Sequence, residues 1–343
     1  MTQVQVAYAA CVTHDSAPQP RRPTGPPRLA PLCLSGQLVF MSIRIQHHDS
    51  PFGKWLMAHW SPVQLSAVLD QLWYFEGTVA VPRERVFPDG RVDLIVHLGP
   101  VYRQVTGERT DPFSISCISG LLLTSNVVEA PPDACAVLGL RLRPAGAFAL
   151  LARALPELVG ITVDLGAVLG NAADELAARC YDARQPGACG SSEPANDLFD
   201  VVAHCRAEAR LRAAAEWVDE RCRQHAPDPA VAWAAQEIER HAGALSIAAL
   251  RERTGWSKTR FTATFQQQVG VPPKVFARIH RFRHALQLLH AGDTPLARVA
   301  LRSGYYDQSH FNAEFRELSG FAPGEFLAAR RYPGSGSIAE DSI

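Results

Sequence analysis

Hydrophobic and polar positions follow two different periods along this chain, and the change of period divides it. Between about residues 55 and 142 the apolar runs are short and rich in β-formers: VDLIVHL (92–98), CISGLLL (117–123) and CAVLGLRLR (135–143). Turn chemistry separates them. FPDGR (87–91) sets Pro, Asp and Gly in a row, and APPDA (130–134) makes a second break. Several short strands joined by turns predict an antiparallel barrel or sandwich. After Pro144 the period becomes helical. AGAFALLARAL (145–155) begins beside a proline suited to a first helical position, a second helix is predicted over 163–182, and QPGACGSSEP (185–194) is a loop by composition. Residues 197–224 predict a long amphipathic helix, with Leu198, Val201, Val202, Cys205, Leu211, Ala215, Val218 and Cys222 at steps of three and four. APDP (226–229) breaks it and marks the predicted domain boundary.

Seven helices fit the remainder, at 230–241, 247–254, 258–269, 273–290, 296–302, 308–318 and 323–330. Ser246 and Thr294 stand where N-caps are wanted, and Pro295 at a first helical position. The predicted organisation is therefore a proline-rich, poorly ordered extension over 1–40, a β-rich domain over 41–225, a helical domain over 229–331 and a disordered tail over 332–343. Met41 opens a more ordinary sequence than the residues before it, so translation from Met41 is an expectation that N-terminal mass spectrometry of the native protein checks.

The helical part repeats itself. SIAALRERTGWSKTRFTATFQQQVGVPPKVF (246–276) lies over TPLARVALRSGYYDQSHFNAEFRELSGFAPGEF (294–326), and the string F-x3-F-x4-G-x2-P-x2-F recurs at a constant offset of fifty. Each copy is helix, glycine-containing turn, helix, the pattern of a helix-turn-helix whose second helix reads the DNA major groove. The paired phenylalanines, Phe261 with Phe265 and Phe311 with Phe315, share one helix face and anchor it inward. That leaves a small, polar outer face: Lys258, Thr259, Thr262, Ala263 and Gln266 in the first copy, and Gln308, Ser309, Asn312, Ala313 and Arg316 in the second.

Charge agrees locally rather than globally. The whole chain has a formal net charge of +0, yet residues 230–331 hold 14 Arg and Lys against 8 Asp and Glu, an excess of +6. The connecting helix alone carries Lys274, Arg278, Arg281 and Arg283. A basic module in a neutral chain is the electrostatic footprint of a nucleic-acid partner.

Residues 230–331 resemble the AraC/XylS family of bacterial transcription regulators. The residues that carry the resemblance are Gly304, Tyr305, Asp307, Ser309, His310, Phe311, Phe315, Gly320 and Pro323, with RIHRFRHALQLL (278–289) similar to the family's linker helix. LDQLWYFEG (69–77), FPDGRVDLIVHLG (87–99), ISGLLL (118–123) and GLRLRPAGAFALL (139–151) resemble an uncharacterised domain often fused ahead of that module. The resemblance implies an α+β chain: an N-terminal antiparallel β barrel or sandwich with flanking helices, then a seven-helix all-α domain with two helix-turn-helix motifs. It implies double-stranded DNA as partner, read in two adjacent major-groove segments, together with contact to RNA polymerase. It also implies an N-terminal domain that senses a small-molecule effector or pairs two subunits into a homodimer.

Family reading helices often carry arginine where Ala263 and Ala313 stand here, so a bidentate contact to guanine is missing from both. Base reading then falls to Thr259, Thr262, Gln308, Ser309 and Asn312, with Lys258, Arg260 and Arg281 available to phosphates; for Gln308 a solvated face is an equal alternative. Pro88-Asp89-Gly90 is a hairpin turn or, alternatively, the rim of an effector pocket with Trp73, Tyr74 and Asp93. Arg141 and Arg143 are structural, or hold an anion beside a helix start.

Other chemistries find little support. The sequence has no G-x-S-x-G, H-E-x-x-H or G-x-x-x-x-G-K-[ST] motif. Neither His280 with His284 nor His47 with His48 has the further ligands that a metal site needs. No enzyme, cofactor or metal is therefore expected, and the competing reading is a small-molecule-binding barrel or metabolic enzyme with a helical partner-binding module. Eight cysteines without a C-x-x-C pair imply reduced thiols and a cytoplasmic setting. No apolar run approaches the ~20 residues of a membrane span.

Overall fold

The computed structural model describes residues 43–50, 53–80, 83–183, 198–222, 227–292 and 294–329. The extension expected over 1–40, the loop at 185–194 and the tail at 332–343 lie outside the described residues. The front half is a sandwich of two antiparallel sheets. The larger is built from β1 (Arg44–Ser50), β2 (Gly53–Trp60), β3 (Leu69–Val79), β5 (Val92–His97), β8 (Ser116–Ser119), β10 (Cys135–Leu142) and β11 (Thr162–Asp164), in the order β1-β2-β3-β10-β5-β8-β11. The smaller holds β4 (Arg83–Val86), β6 (Arg103–Thr106), β7 (Arg109–Pro112) and β9 (Asn126–Glu129), in the order β4-β9-β6-β7.

Strand alternation sorts the core. On β3, Trp73 and Phe75 face the small sheet and cluster with Trp55, Met57, Tyr102 and Val137. Leu72 and Tyr74 face the other way, onto helices. Those helices are α1 (Pro144–Leu151), α2 (Leu165–Leu169), α3 (Asn171–Asp182) and α4 (Leu198–Cys222). The single helix expected over 163–182 is broken: its start pairs with β8 as β11, and Gly170 at φ +58° separates α2 from α3. The predicted strand 117–123 ends at Ser119, after which the chain leaves the sheet. In α4 the buried positions include Cys205, Ala207, Leu211, Ala214, Trp217 and Val218, while the expected core residue Val202 is exposed.

The helical half follows the predicted boundaries to within a residue or so: α5 (Pro229–Arg240), α6 (Ile247–Thr254), α7 (Lys258–Val269), α8 (Pro273–Ala291), α9 (Leu296–Arg302), α10 (Gln308–Ser319) and α11 (Pro323–Ala329). Ser246 caps α6 by accepting from the Ala249 N–H. Thr294 does not cap α9. Pro295 keeps an extended ψ of 139° and takes the capping position, while the Thr294 hydroxyl turns back to the Gly292 carbonyl.

The boundary at 226–229 does not separate two cores. One apolar core runs from Leu72, Leu94 and Leu140 of the large sheet through Leu150 and Trp217 to Phe261, Phe265 and Phe276 of the first repeat. The second repeat has its own core around Phe282, Phe311, Phe315 and Phe326, and Phe87 of the β-rich half completes it. Cys117, Cys135, Cys180 and Cys222 are free thiols, as expected, whereas Cys205 is disulfide-bonded, against the expectation of reduced thiols. No described helix is long and apolar enough to cross a membrane.

Candidate nucleic-acid interface

Local chemistry builds each turn. In the first repeat α6 ends at Gly255, φ +71°, and Ser257 then caps α7 by accepting from the Arg260 N–H. In the second, Gly304 at φ +77° makes the bend and the Asp307 carboxylate accepts from the His310 N–H at 2.7 Å. Both glycines hold a left-handed backbone that a side chain disfavours. Phe261, Phe265, Phe311 and Phe315 are buried to within 1% exposure, so each helix is fixed by its aromatic face.

The opposite faces are open. Lys258, Thr259, Arg260, Ala263, Gln308, Ser309, Ala313 and Arg316 are exposed, and Thr262, Gln266 and Asn312 are half-buried. Lys258 with Thr259, and Gln308 with Ser309, are the first two residues of their helices, where groove-reading helices meet base edges. Asn312 is turned partly inward. Its Oδ1 is covered and has no hydrogen-bond partner among the described residues.

Much of the local positive charge is spent internally. Arg278 reaches Glu314 at 3.0 Å and also pairs with Glu317. Arg281, expected at phosphates, instead lies between Glu314 at 3.4 Å and the Tyr305 ring at 5.5 Å, because both partners come from the second repeat packed against α8. Arg283 points to Glu239. Arg260 stacks over Trp256 at 4.2 Å and stays exposed. Among the described residues Lys258, Lys274, Arg298 and Arg302 are exposed and make no ion pair. Arg298 and Arg302, four apart on α9, were not singled out from the sequence; their spacing on one helix face was the available signal.

The four residues expected around one effector pocket divide among separate places. Trp73 does line a cavity of about 60 Å³ between the sheets, with Phe75, Ile95, His97, Tyr102 and Phe113. Tyr74 cannot join it, since neighbouring strand residues point to opposite faces; its hydroxyl donates to Glu76 at 2.7 Å on the helix side. Asp93 shares the cavity face but lies two residues before Ile95, where Arg141 approaches at 3.5 Å. Asp89 accepts from the Arg91 N–H at 2.9 Å inside the turn and pairs with Arg141. The His97 Nδ1–H donates to the Ser114 and Ile115 carbonyls, and burial lowers its pKa, leaving a neutral ring.

Asp89 and Asp93 belong to a charge cluster that joins the two halves of the chain. Arg91, 1% exposed, donates from Nε to Asp70 at 2.9 Å and from Nη2 to Glu239 of α5. Arg143 reaches the same two carboxylates at 3.2 and 3.4 Å. Arg141 and Arg143 are thus structural. Burial raises the Glu239 pKa, but Arg91 outweighs it and brings the carboxyl down to about 2. His280 of α8 is buried against this cluster, facing Arg91, Glu239, Arg283 and Asp89. Burial, then Arg91, lowers its pKa from 6.5 to about 3. The unfolded chain therefore binds this proton first, and stability falls as pH drops from 6.5 toward 3. Replacing His280 with Gln is expected to remove about 2 kcal/mol of the loss between pH 6.5 and 5. Denaturant titrations of both proteins across that window check it; parallel pH curves would contradict it.

Two helix-turn-helix units, each with an open-faced second helix, share one frame behind the β-rich domain. Comparison with known proteins agrees: residues 250–329 match a helix-turn-helix domain family, and residues 60–164 match a domain of unknown function, DUF6597. The chain is 33% identical over 79 residues to the probable transcriptional regulator LumQ of Photobacterium leiognathi, covering 23% of this chain and 32% of that one. It is 31% identical over 82 residues to the arabinose operon regulatory protein of Escherichia coli, covering 24% and 28%. The chain thus spans under a third of the length of the curated relatives it matches. Among solved structures, ToxT from Vibrio cholerae is similar at 10% identity and TM-score 0.39, over 75% of this chain and 97% of that one. The C-terminal domain of AraT from Geobacillus stearothermophilus is similar at 24% identity and TM-score 0.30, over 32% and 91%.

Proposed function

We propose that the protein is a sequence-specific DNA-binding transcription regulator of the AraC type, with α7 and α10 in adjacent major-groove segments. The observation that carries this reading is the pair of exposed polar faces at the starts of two helices whose aromatic faces are locked in cores. Base edges fall to Thr259, Thr262, Gln308, Ser309 and Asn312, and phosphates to Lys258, Arg260, Arg298 and Arg302. With Oδ1 covered, Asn312 offers its NH2 edge, which suits an acceptor such as guanine N7 or thymine O4. Asn312→Ala is expected to lower discrimination at one or two base pairs by roughly 1–3 kcal/mol. Affinity measured against single-position variants of a selected site checks it; equal weakening on every sequence would make Asn312 a backbone contact.

The N-terminal domain is proposed to sense an effector in the cavity around Trp73 rather than at the rim formed by Asp89. Among the described residues no Asp, Glu, Lys or Arg lines that cavity, and the neutral His97 ring lies in its wall, so an uncharged, largely apolar molecule fits its chemistry. Ser119 and Asn126 of its wall flank the loop that reaches α10, and Leu122 lies within it, which supports a route from the cavity to the DNA-reading face.

A further inference from the structure

Both reading helices end against the β-rich half of the chain. At the end of α7 the Gln267 carbonyl accepts from the Leu155 N–H at 3.0 Å. At the end of α10 the Leu318 carbonyl accepts from the Ser125 N–H at 2.8 Å, and the Ser125 hydroxyl donates to the Ser319 carbonyl at 2.9 Å. The last carbonyls of a helix have no partner within it, so these bonds satisfy groups that otherwise turn to water. Arg85 holds Ser125 in place: its Nη1 donates to the Ser125 Oγ at 3.1 Å, while its guanidinium lies over the Phe321 ring at 4.8 Å.

The two contact points belong to one piece of structure. The Gly120 N–H donates to the Ile161 carbonyl at 3.0 Å, and the Gly160 N–H to the Leu121 carbonyl at 2.9 Å. Beyond these bonds, β8 and β11 pair from Cys117–Asp164 to Ser119–Thr162. The loop 120–125 and the segment 155–161 are therefore laced together, with one end at α7 and the other at α10.

We infer that this laced pair is a brace that sets the separation and tilt of α7 and α10, with Ser125 and Leu155 as positioning residues for the spacing of the DNA site. The inference rests on the DNA-binding reading and adds to it a source of spacing outside the helical domain. The linker helix α8 leaves α7 at Pro273 and meets α10 through Arg278, Arg281 and Glu314. The brace ties the C-terminal ends of both reading helices through the β-rich half, so their relative tilt has a second support besides α8.

The test uses the full chain and a selected site whose two major-groove segments are moved apart or together by one or two base pairs. Each base pair rotates one segment by about 34° relative to the other, given 10–10.5 base pairs per turn. A braced protein is expected to lose about tenfold or more in affinity per base pair of displacement. Ser125→Pro removes both the N–H and the hydroxyl, and is expected to shrink that penalty to about threefold. The cost of a base change within either segment should stay as it was. Ser125→Ala and Arg85→Ala leave the backbone donor intact and should shift the spacing profile the same way by less. They carry the test if the proline variant does not fold. Unchanged spacing profiles, or equal weakening at every spacing, overturn the brace. A wild-type protein that binds without a spacing preference overturns it too. Absence of any DNA binding overturns the DNA-binding reading, and the brace with it.

Discussion

Replacing Phe87 with alanine is expected to destabilise the protein by about 3–5 kcal/mol, the usual cost of deleting a buried phenyl ring. Phe87 precedes the Pro-Asp-Gly turn, and its ring packs edge-on against Phe282 and Phe326 at 6.3 and 5.8 Å. The core it enters is small and otherwise built from α8, α9, α10 and α11, so no large neighbouring core can close over the gap. The damage should be local as well as global: amides of α9 and α10 should lose hydrogen-exchange protection before those of the large sheet. A loss under about 1 kcal/mol, well below the usual range, would mean that the ring does not complete this core. The same packing bears on the helical domain alone. A fragment starting at 227 lacks Phe87 and exposes the faces of Phe265 and Val269, which share a core with α1 and α4.

Arg91→Met is expected to cost about 3 kcal/mol, at the lower end of the range for breaking a buried ion pair. The guanidinium is 1% exposed and bridges Asp70 of β3 to Glu239 of α5, so its loss leaves two largely buried carboxylates together. Arg143 still reaches both, which moderates the effect. The Glu239 pKa, held at about 2, should rise toward its ordinary value. A double-mutant cycle with Glu239→Gln should return a coupling of about 1 kcal/mol or more across the two halves of the chain. Additive effects would show that the bridge contributes nothing beyond packing.

The helical repeat was legible in the sequence because its signals are local. The cap at Ser246, glycines at 255 and 304, and the phenylalanine pairs each act within a few residues, and every predicted helix of this half is found, although Thr294 does not cap as expected and the caps at Ser257 and Asp307 were not read from the sequence. The sheet was legible in outline. Strand alternation sends the neighbours Trp73 and Tyr74 to opposite faces of the sheet, a separation readable in the sequence itself. What sequence spacing does not carry is contact across long separations. Arg91 meets Glu239 148 residues away, and Ser125 meets Ser319 194 residues away. The local excess of positive charge was real but overstated as a DNA footprint, because Arg278 and Arg281 close onto Glu314 from the next repeat.

The central claim is that the two open helix faces bind DNA, and the salt dependence of that binding tests it most directly. Titrating the full-length protein into a labelled duplex from its own upstream region, at salt concentrations from 50 to 200 mM, gives the slope of log affinity against log salt. With Lys258, Arg260, Arg298 and Arg302 each on a phosphate, the slope should be about −3.6, a loss of roughly 150-fold over that range. Binding that is indifferent to salt, or no binding in excess of that to an unrelated duplex, would contradict the account.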